Sequence, residues 1–254
     1  MKQENSLGEP LKSKYVIAGI KVGMILRRNW TTEVQARDYL CDFDGDPQIV
    51  VGLDDEYISE RHKECPQLTI SDCEYMWTGA SFCEQLLDFG GFMLHASAVV
   101  YQNRAYLFSA PSGTGKSTHT TLWRKAFGEE NTYILNDDKP VIRLENDQIM
   151  VYGTPWSGKT DQNRNIGVLL GGICFLERSD ENWIKPVSAA DGAFGILNQT
   201  IRPGDGEKMS VLLGLLDRVI GHAGVWHMGC NISKDAAVMA FNAMKGDCDN
   251  ENKK

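Results

Sequence analysis

A glycine-rich segment constrains this chain more than any other part of its sequence. The residues LFSAPSGTGKSTHTTLW, at positions 107–123, place Gly113 and Gly115 after a short apolar run and before Lys116 and Ser117. Such glycines let backbone N–H groups turn inward around a phosphate, while the lysine reaches the terminal phosphates and the hydroxyl binds magnesium. A strand before the loop and a helix after it are predicted, and the N-terminus of that helix favours anions. The segment therefore predicts a phosphate-binding loop in an α/β fold.

The first position of this loop departs from the usual G-x-x-x-x-G-K-[ST] pattern, because the chain has Ala110 there. Alanine fits only where the backbone has a negative φ and room for a methyl group. An ordinary Gly/Ser turn is the alternative interpretation, but the lysine, the hydroxyl and the flanking elements favour the phosphate loop. We expect a run of residues to contact the phosphates: Ser112, Gly113, Thr114, Gly115, Lys116, Ser117 and Thr118.

Two folding units are predicted, with polar tails at both ends. Short apolar runs separated by Asp, Gly, Asn and Pro predict a small, strand-rich α+β domain over residues 14–91. Strands that alternate with helices over residues 92–245 predict a mixed sheet flanked by helices, which contains the phosphate loop. Residues 1–13 and 246–254 lack hydrophobic periodicity and predict disordered tails.

Several elements are predicted individually. Ser71 followed by Glu74 resembles the capping box that begins a helix, and Gly90 and Gly91 would end that helix. Strands are predicted at His95–Tyr101, Arg104–Phe108, Tyr133–Leu135, Val141–Leu144, Met150–Tyr152, Val168–Glu177 and Val225–Ile232. Helices are predicted to begin at or near Lys116, Ser188, Gly206 and Lys234.

Composition limits the partners and the location of the protein. The net charge of −8 argues against nucleic acid and anionic membranes, because both associations draw on basic surface. The N-terminal residues MKQENSLGEP lack the apolar run of a secretory signal, and no apolar stretch is long enough to span a membrane. The seven cysteines never occur in CxxC spacing, so we interpret them as reduced thiols. A cytoplasmic protein is predicted.

A pair of carboxylates follows the next apolar run. In YILNDDKP, three apolar residues lead into Asp137 and Asp138, and Pro140 ends the element. One carboxylate can support magnesium while its neighbour accepts a proton from an attacking hydroxyl. A helix cap or a solvated turn is the alternative, since aspartate favours both.

His95, in GFMLHASAVV, is the third candidate. A lone histidine is more often a hydrogen-bonded core residue than a functional one. This one lies 21 positions before Lys116, on a strand that should pair in a hairpin with the strand before the phosphate loop. That pairing would bring His95 towards the phosphates.

Together these three features resemble the HPr kinase/phosphorylase and phosphoenolpyruvate carboxykinase superfamily. The resemblance is carried by LHASAV with His95, by SAPSGTGKS, and by NDDKP. It covers residues 92–177, whereas the first 90 residues do not resemble the N-terminal domain of HPr kinases. Bifunctional HPr kinases commonly carry Glu where this chain has Thr118, which weakens the expectation of phosphorylase activity.

The resemblance implies a kinase that uses ATP and Mg²⁺ to phosphorylate a hydroxyl group of a peptide, a protein serine or a small molecule. By position, Lys116 would neutralise the β and γ phosphates, and Ser117 and Asp138 would hold the magnesium. Asp137 would be the base for the acceptor hydroxyl, with His95 close to it. The resemblance also allows a homo-oligomer, because HPr kinases assemble into oligomers.

A fourth stretch, YGTPWSGKTDQNRNIGV, supplies Lys159 and Arg164 from a loop punctuated by proline and glycine. Cationic loops meet the negative charge that phosphoryl transfer places on the transferring oxygens. Solvated surface charge is an equal alternative for these two side chains.

Two other functions stay open at this point. A non-catalytic nucleotide-binding sensor is consistent with Ala110 and Thr118, while a carboxykinase-like lyase would need further metal-binding residues that the sequence does not supply. The second aspartate favours the enzyme, because a nucleotide binder needs only one carboxylate for its metal.

Overall fold

A computed structural model describes residues 9–245 as two β-sheets flanked by helices. Residues 1–8 and the predicted tail at 246–254 lie outside the described residues. The prediction of a disordered tail is wrong for residues 10–13, which begin the first strand. These residues pair in register with the second strand, which holds them in the sheet despite their polar sequence.

The N-terminal sheet has three strands, β1 (Pro10–Ile17), β2 (Ile20–Arg27) and β3 (Ile49–Gly52). β1 and β2 are antiparallel, whereas β2 and β3 are parallel. Three helices accompany this sheet: α1 (Thr31–Ala36), α2 (Asp55–Glu64) and α3 (Ile70–Leu86). The strand-rich prediction overlooked the first two helices. α2 was hidden because it is polar around its circumference and buries only Ile58.

The second sheet contains nine strands and carries the segments of interest. Its strands are β4 (Gly91–Met93), β5 (Ala96–Tyr101), β6 (Arg104–Ser109), β7 (Thr132–Asn136), β8 (Val141–Glu145), β9 (Gln148–Tyr152), β10 (Gly167–Arg178), β11 (Trp183–Pro186) and β12 (Val225–Cys230). The helices are α4 (Lys116–Phe127), α5 (Ala189–Asn198), α6 (Gly206–His222) and α7 (Lys234–Met244). All seven predicted strands are present, with ends shifted by at most two residues.

The spatial order of this sheet is β4-β8-β9-β10-β6-β5-β7, and β12 joins β10 and β11. β6 and β12 are parallel to β10, while the other pairings are antiparallel, so the sheet is mixed. The predicted hairpin between β5 and β6 is confirmed. Gln102 and Asn103 form its two-residue turn with φ of 50° and 58°, which is the geometry that two-residue hairpins favour.

The beginning of α3 differs from its predicted capping box. Thr69 accepts from the backbone of Asp72, and the Asp72 carboxylate accepts from Thr69 in return, so the box lies two residues earlier than expected. Glu74 is fully buried and instead accepts from the backbone and guanidinium of Arg27. The predicted pair therefore failed because the core recruited Glu74 as an ion-pair partner.

Packing connects α3 with a loop of the second sheet. Trp156 is fully buried, stacks on Phe82 at 5.0 Å between ring centroids, and donates from Nε1 to the carbonyl of Tyr75. A Cβ on Gly79 would approach the Trp156 indole to 3.0 Å, so glycine leaves room for the ring. The division into domains at residues 91 and 92 stays a prediction.

No helix within residues 9–245 is both long enough and apolar enough to cross a membrane.

His119 provides a test of the packing around α4. Burial lowers the pKa of its imidazole to about 4, and Nε2 accepts a hydrogen bond from Trp123 Nε1 at 3.2 Å. The unfolded chain binds a proton there near pH 6.5, whereas the folded chain does so only near pH 4. The free energy of unfolding should therefore fall by about 2–3 kcal/mol between pH 7 and pH 4.5 through this residue.

Urea unfolding at the two pH values measures this effect. His119→Gln keeps an acceptor for Trp123 but does not titrate, so its stability should fall less than that of the wild type by that amount. An equal pH dependence in both proteins would contradict the buried, neutral imidazole.

Candidate functional site

The loop at residues 110–115 joins the end of β6 to the first residue of α4. Gly113 and Gly115 have φ of 79° and 123°, and an added Cβ at either position would meet no atom within 4 Å. Glycine is needed there for the backbone conformation and not for space. Ala110 is buried and is not among the residues with positive φ, so the methyl group at the first loop position causes no backbone strain.

Lys116 is held over this loop. Its side chain is 8% exposed, and Nζ donates to the Ala110 carbonyl oxygen at 2.9 Å. Burial lowers the pKa of Lys116, while the nearby carboxylates of Asp138 and Asp137 act in the opposite direction. Lys116 therefore brings one positive charge to a site with two carboxylates. This charge lies beside the loop backbone that would surround a phosphate.

Arg178, the last residue of β10, fixes the loop from its other side. Its Nη2 donates to the Gly113 carbonyl at 2.6 Å, and its Nε donates to the Thr114 carbonyl at 3.2 Å. Arg178 was not among the residues predicted from the sequence. The sequence shows a basic residue directly after a predicted strand. It does not show that this strand pairs in parallel with β6, which is what brings Arg178 to the loop.

Asp137 follows β7 and is 6% exposed. Its two carboxylate oxygens accept from different hydroxyls: Oδ1 from Ser97 Oγ at 2.6 Å, and Oδ2 from Thr160 Oγ1 at 2.7 Å. Ser97 is itself fully buried and shares a further hydrogen bond with Thr120. The carboxylate is thus oriented from the sheet side by Ser97 and contacted from the loop side by Thr160.

Asn136 fixes the turn that carries the acidic pair. Its Oδ1 accepts from the backbone N–H groups of Asp138 and Lys139, and its Nδ2 donates to the Thr154 carbonyl. Asn136 is fully buried, so this turn is not the solvated turn that was the alternative interpretation. The two aspartates are held at defined positions beside the loop.

His95 immediately precedes β5 and approaches the second aspartate. Its Nε2 lies 3.4 Å from Asp138 Oδ1, and its Nδ1 lies 3.1 Å from Gln199 Oε1. Burial lowers the pKa of His95, and the charge of Lys116 lowers it further. A neutral imidazole carries one N–H, so it could donate to Asp138 Oδ1 or to Gln199 Oε1 but not to both. The other oxygen of Asp138 accepts from Lys139 Nζ at 2.7 Å.

A turn at Gly158–Thr160 completes the site. Gly158 has φ of 73°, and an added Cβ would approach the Asp138 Cβ to 3.0 Å, so the backbone comes close to that aspartate. The Gly158 N–H donates to the Tyr75 hydroxyl at 2.9 Å, and its carbonyl accepts from Gln35 Nε2 at 2.8 Å. Both partners belong to the N-terminal region, which therefore helps to position this turn.

These residues surround one cavity of about 330 Å³. Its lining comprises His95, Ser112, Gly113, Gly115, Lys116, Ser117, Thr118, Asp137, Asp138, Ser157, Gly158, Lys159 and Thr160. Two of the predicted site residues do not line it. Thr114 lines a neighbouring cavity, and Arg164 places its guanidinium 4.2 Å from the ring centre of Tyr133. A separate cavity of about 760 Å³ on the N-terminal sheet contains none of the predicted residues.

The cavity offers donors of the kind that magnesium uses. Magnesium is commonly held by one or two carboxylates together with substrate phosphates and water. Ser117 and Asp138 line the same cavity and supply a hydroxyl and a carboxylate. Within residues 9–245 no group of three or more His, Cys, Asp or Glu side chains could hold a metal ion by itself. Magnesium bound to a nucleotide does not need such a group, because phosphates and water supply most of its ligands.

Tyr75 gives a local test of this geometry. Removal of its hydroxyl in Tyr75→Phe would leave the Gly158 N–H without its acceptor and Asp138 without a donor 3.5 Å away. We expect the free energy of unfolding to fall by about 1 kcal/mol, the usual effect of one hydrogen bond. Urea denaturation measures the difference, and Tyr57→Phe on α2, a more exposed tyrosine, is the control. Equal stability of the two variants would contradict the Tyr75 contacts.

Among solved structures, the chain is similar to the HPr(Ser) kinase/phosphatase from Coxiella burnetii, with 12% identity and a TM-score of 0.32. The alignment covers 59% of this chain and 95% of that chain. No family model and no curated protein matches the sequence. Similarity at this level does not support a function, so the functional assignment depends on the geometry of the site.

Proposed function

We propose that this chain is a kinase that transfers the γ-phosphoryl group of ATP to a hydroxyl group, with Mg²⁺ as cofactor. The acceptor would be a peptide, a protein serine or a small molecule. The observation that carries the proposal is the single cavity in which Lys116 and Ser117 meet both aspartates and His95. Phosphoryl transfer needs positioning and electrostatic stabilisation more than covalent chemistry, and this set of side chains supplies both.

The phosphate side of the reaction belongs to the loop. Backbone N–H groups near Gly113 and Gly115 would surround the phosphates, and Lys116 would leave the Ala110 carbonyl to contact the β and γ oxygens. Arg178 would keep the loop in the binding conformation through its two carbonyl contacts. Magnesium held by Ser117, Asp138 and the phosphates would neutralise negative charge on the transferring group.

The acceptor side belongs to Asp137. A general base must lie within hydrogen-bond distance of the proton that it removes, and Asp137 Oδ2 already accepts from a hydroxyl at 2.7 Å. Ser97 keeps the carboxylate oriented through the other oxygen. His95 would contact Asp138 beside the metal through Nε2, which lies 3.4 Å from Asp138 Oδ1.

Two neighbouring cavities fit the remaining parts of the substrates. One, of about 520 Å³, shares Gly113, Gly115 and Thr118 with the central cavity and would hold the nucleoside. The other, of about 230 Å³, includes His95 and Gln199 and would admit the acceptor. The central cavity shares lining residues with both of them, which would let nucleoside, phosphates and acceptor occupy adjoining spaces.

A nucleotide-binding sensor is the second candidate. Thr118 and Ala110 favour it, since both depart from the residues that phosphate loops of active relatives commonly carry. A protein that only binds nucleotide would need one carboxylate for its metal. It would not need a second carboxylate such as Asp137, which accepts hydrogen bonds from hydroxyl groups. Cytoplasmic location, the lack of nucleic-acid and membrane partners, and a homo-oligomer stay predictions.

The experiment is transfer of label from γ-labelled ATP in the presence of magnesium. Serine-containing peptides, HPr and small alcohols would serve as acceptors. Magnesium-dependent labelling of one acceptor class is the expected result and would identify the substrate. Tight binding of ATP with neither transfer nor hydrolysis would favour the sensor instead.

A further inference from the structure

We propose that Thr160 is a phosphorylation site that the chain modifies in its own cavity. This inference rests on the proposed kinase function. Thr160 is exposed, ends the turn at Gly158–Thr160, and lines the cavity together with Lys116 and Ser117. Its hydroxyl is the one that donates to Asp137 Oδ2 at 2.7 Å.

That contact is the one an acceptor hydroxyl needs. A hydroxyl that will lose its proton to a carboxylate must lie about 2.6–3.2 Å from it, and Thr160 lies within this range. Ser97 also donates to Asp137, but it is fully buried and does not line the cavity. Ser157, which does line the cavity, donates to Asp161 instead. Thr160 therefore combines access to the cavity with contact to the proposed base.

The position of Thr160 is held by its turn and does not depend on the threonine alone. Tyr75 and Gln35 bind the two backbone groups of Gly158, and the Ser157 hydroxyl donates to Asp161 across the turn. An acceptor hydroxyl that is already oriented has little conformational entropy to lose before reaction. The fold thus presents Thr160 to the site as a tethered acceptor.

The step balances with the substrates of the proposed function. Thr160 Oγ1 attacks the γ-phosphorus of ATP, and the new Oγ1–P bond forms as the bond from the bridging oxygen to that phosphorus breaks. ADP leaves with the bond's electron pair, and the hydroxyl proton passes to Asp137 Oδ2. The products are ADP and phosphothreonine.

The test incubates the purified full chain with γ-labelled ATP and magnesium, without any acceptor, and locates the label by peptide mapping. Wild type should carry up to one label per chain at position 160. Thr160→Ser should carry the label on its serine hydroxyl, and Thr160→Val should carry none at this position. Thr121→Val is the matched control, because Thr121 is also exposed but donates to a carbonyl of its own helix. Its label should equal that of wild type.

A mixing experiment separates modification within one chain from modification between chains. The rate of labelling per chain should not depend on protein concentration. Lys116→Ala chains keep Thr160 and are mixed with wild type and labelled ATP. The wild-type chains should become labelled and the Lys116→Ala chains should not. A size tag on one of the two proteins separates them on a gel. Label on the Lys116→Ala chain would overturn the proposal of transfer within one chain.

The failure of this inference can be told from failure of the kinase function. An external acceptor that gains label while wild-type Thr160 gains none would overturn the self-modification and leave the kinase intact. No label on acceptor or chain, despite bound nucleotide, would overturn both. Label on Thr160→Ser but not on wild type would also contradict the proposal, because the hydroxyl that donates to Asp137 in this structure is that of the threonine.

Discussion

Asp137→Asn is expected to lower the rate of phosphoryl transfer by about 10²–10⁴-fold, the usual contribution of a general base. Asparagine has nearly the same shape, and its amide oxygen can still accept from Ser97, so the turn beside β7 should keep its structure. An amide cannot take the proton of the acceptor hydroxyl. The loop and Lys116 are untouched, so the affinity for magnesium-ATP should stay close to that of wild type.

Initial rates of label transfer and calorimetric titration with magnesium-ATP measure the two quantities. Asp147→Asn is the control, because Asp147 is an exposed aspartate that pairs with Arg218 at 2.8 Å on the surface. That control should transfer label at the wild-type rate. If Asp137→Asn does so too, Asp137 is not the base.

Lys116→Ala should weaken magnesium-ATP binding roughly 30- to 150-fold, which corresponds to the loss of about 2–3 kcal/mol from charge-assisted hydrogen bonds. Transfer should slow by about 10²–10³-fold beyond this loss of affinity, because the lysine would also stabilise charge that develops during the reaction. The lysine is buried beside the loop, and no other described side chain of α4 takes its place at the Ala110 carbonyl.

Calorimetry with magnesium-ATP measures the affinity, and Lys125→Ala provides the control on the exposed side of the same helix. Far-UV circular dichroism checks that both variants keep their helices. Full affinity in Lys116→Ala would show that the loop does not bind phosphates as proposed.

The sequence was most informative where all residues of a structural motif lie in one continuous segment. The loop, its lysine and the strand and helix around it are contiguous, so their arrangement could be predicted from turn chemistry and hydrophobic pattern. The proximity of His95 to the loop followed from a hairpin, which is also a local structure. Ala110 was correctly expected at a position without positive φ.

Contacts between distant segments could not be predicted in this way. Ser97 and Asp137 are 40 residues apart, and Tyr75 and Asp138 are 63 residues apart. Each pair depends on the order of strands or on the packing of α3, which no single segment encodes. The same reason explains why Thr160, an ordinary threonine in a loop, gave no signal before its contact with Asp137 was known.

Arg164 was wrongly predicted to face the site, because its closeness to Lys159 along the chain was misleading. It follows Lys159 by five positions, yet only Lys159 lines the central cavity. Asp161 adopts φ of 51°, which turns the backbone, and the Arg164 N–H then pairs with the Leu135 carbonyl. The guanidinium stacks on Tyr133 as a result. Spacing in a loop therefore did not determine which cation faces the site.

One measurement tests the central claim most directly: transfer of the labelled γ-phosphate of ATP by wild type and Asp137→Asn, side by side, at nucleotide concentrations that saturate both. The kinase account predicts magnesium-dependent labelling by wild type, and a rate at least about 10²-fold lower for the variant with nucleotide still bound. Nucleotide bound by both proteins, with no label transferred and no phosphate released by wild type, would contradict it.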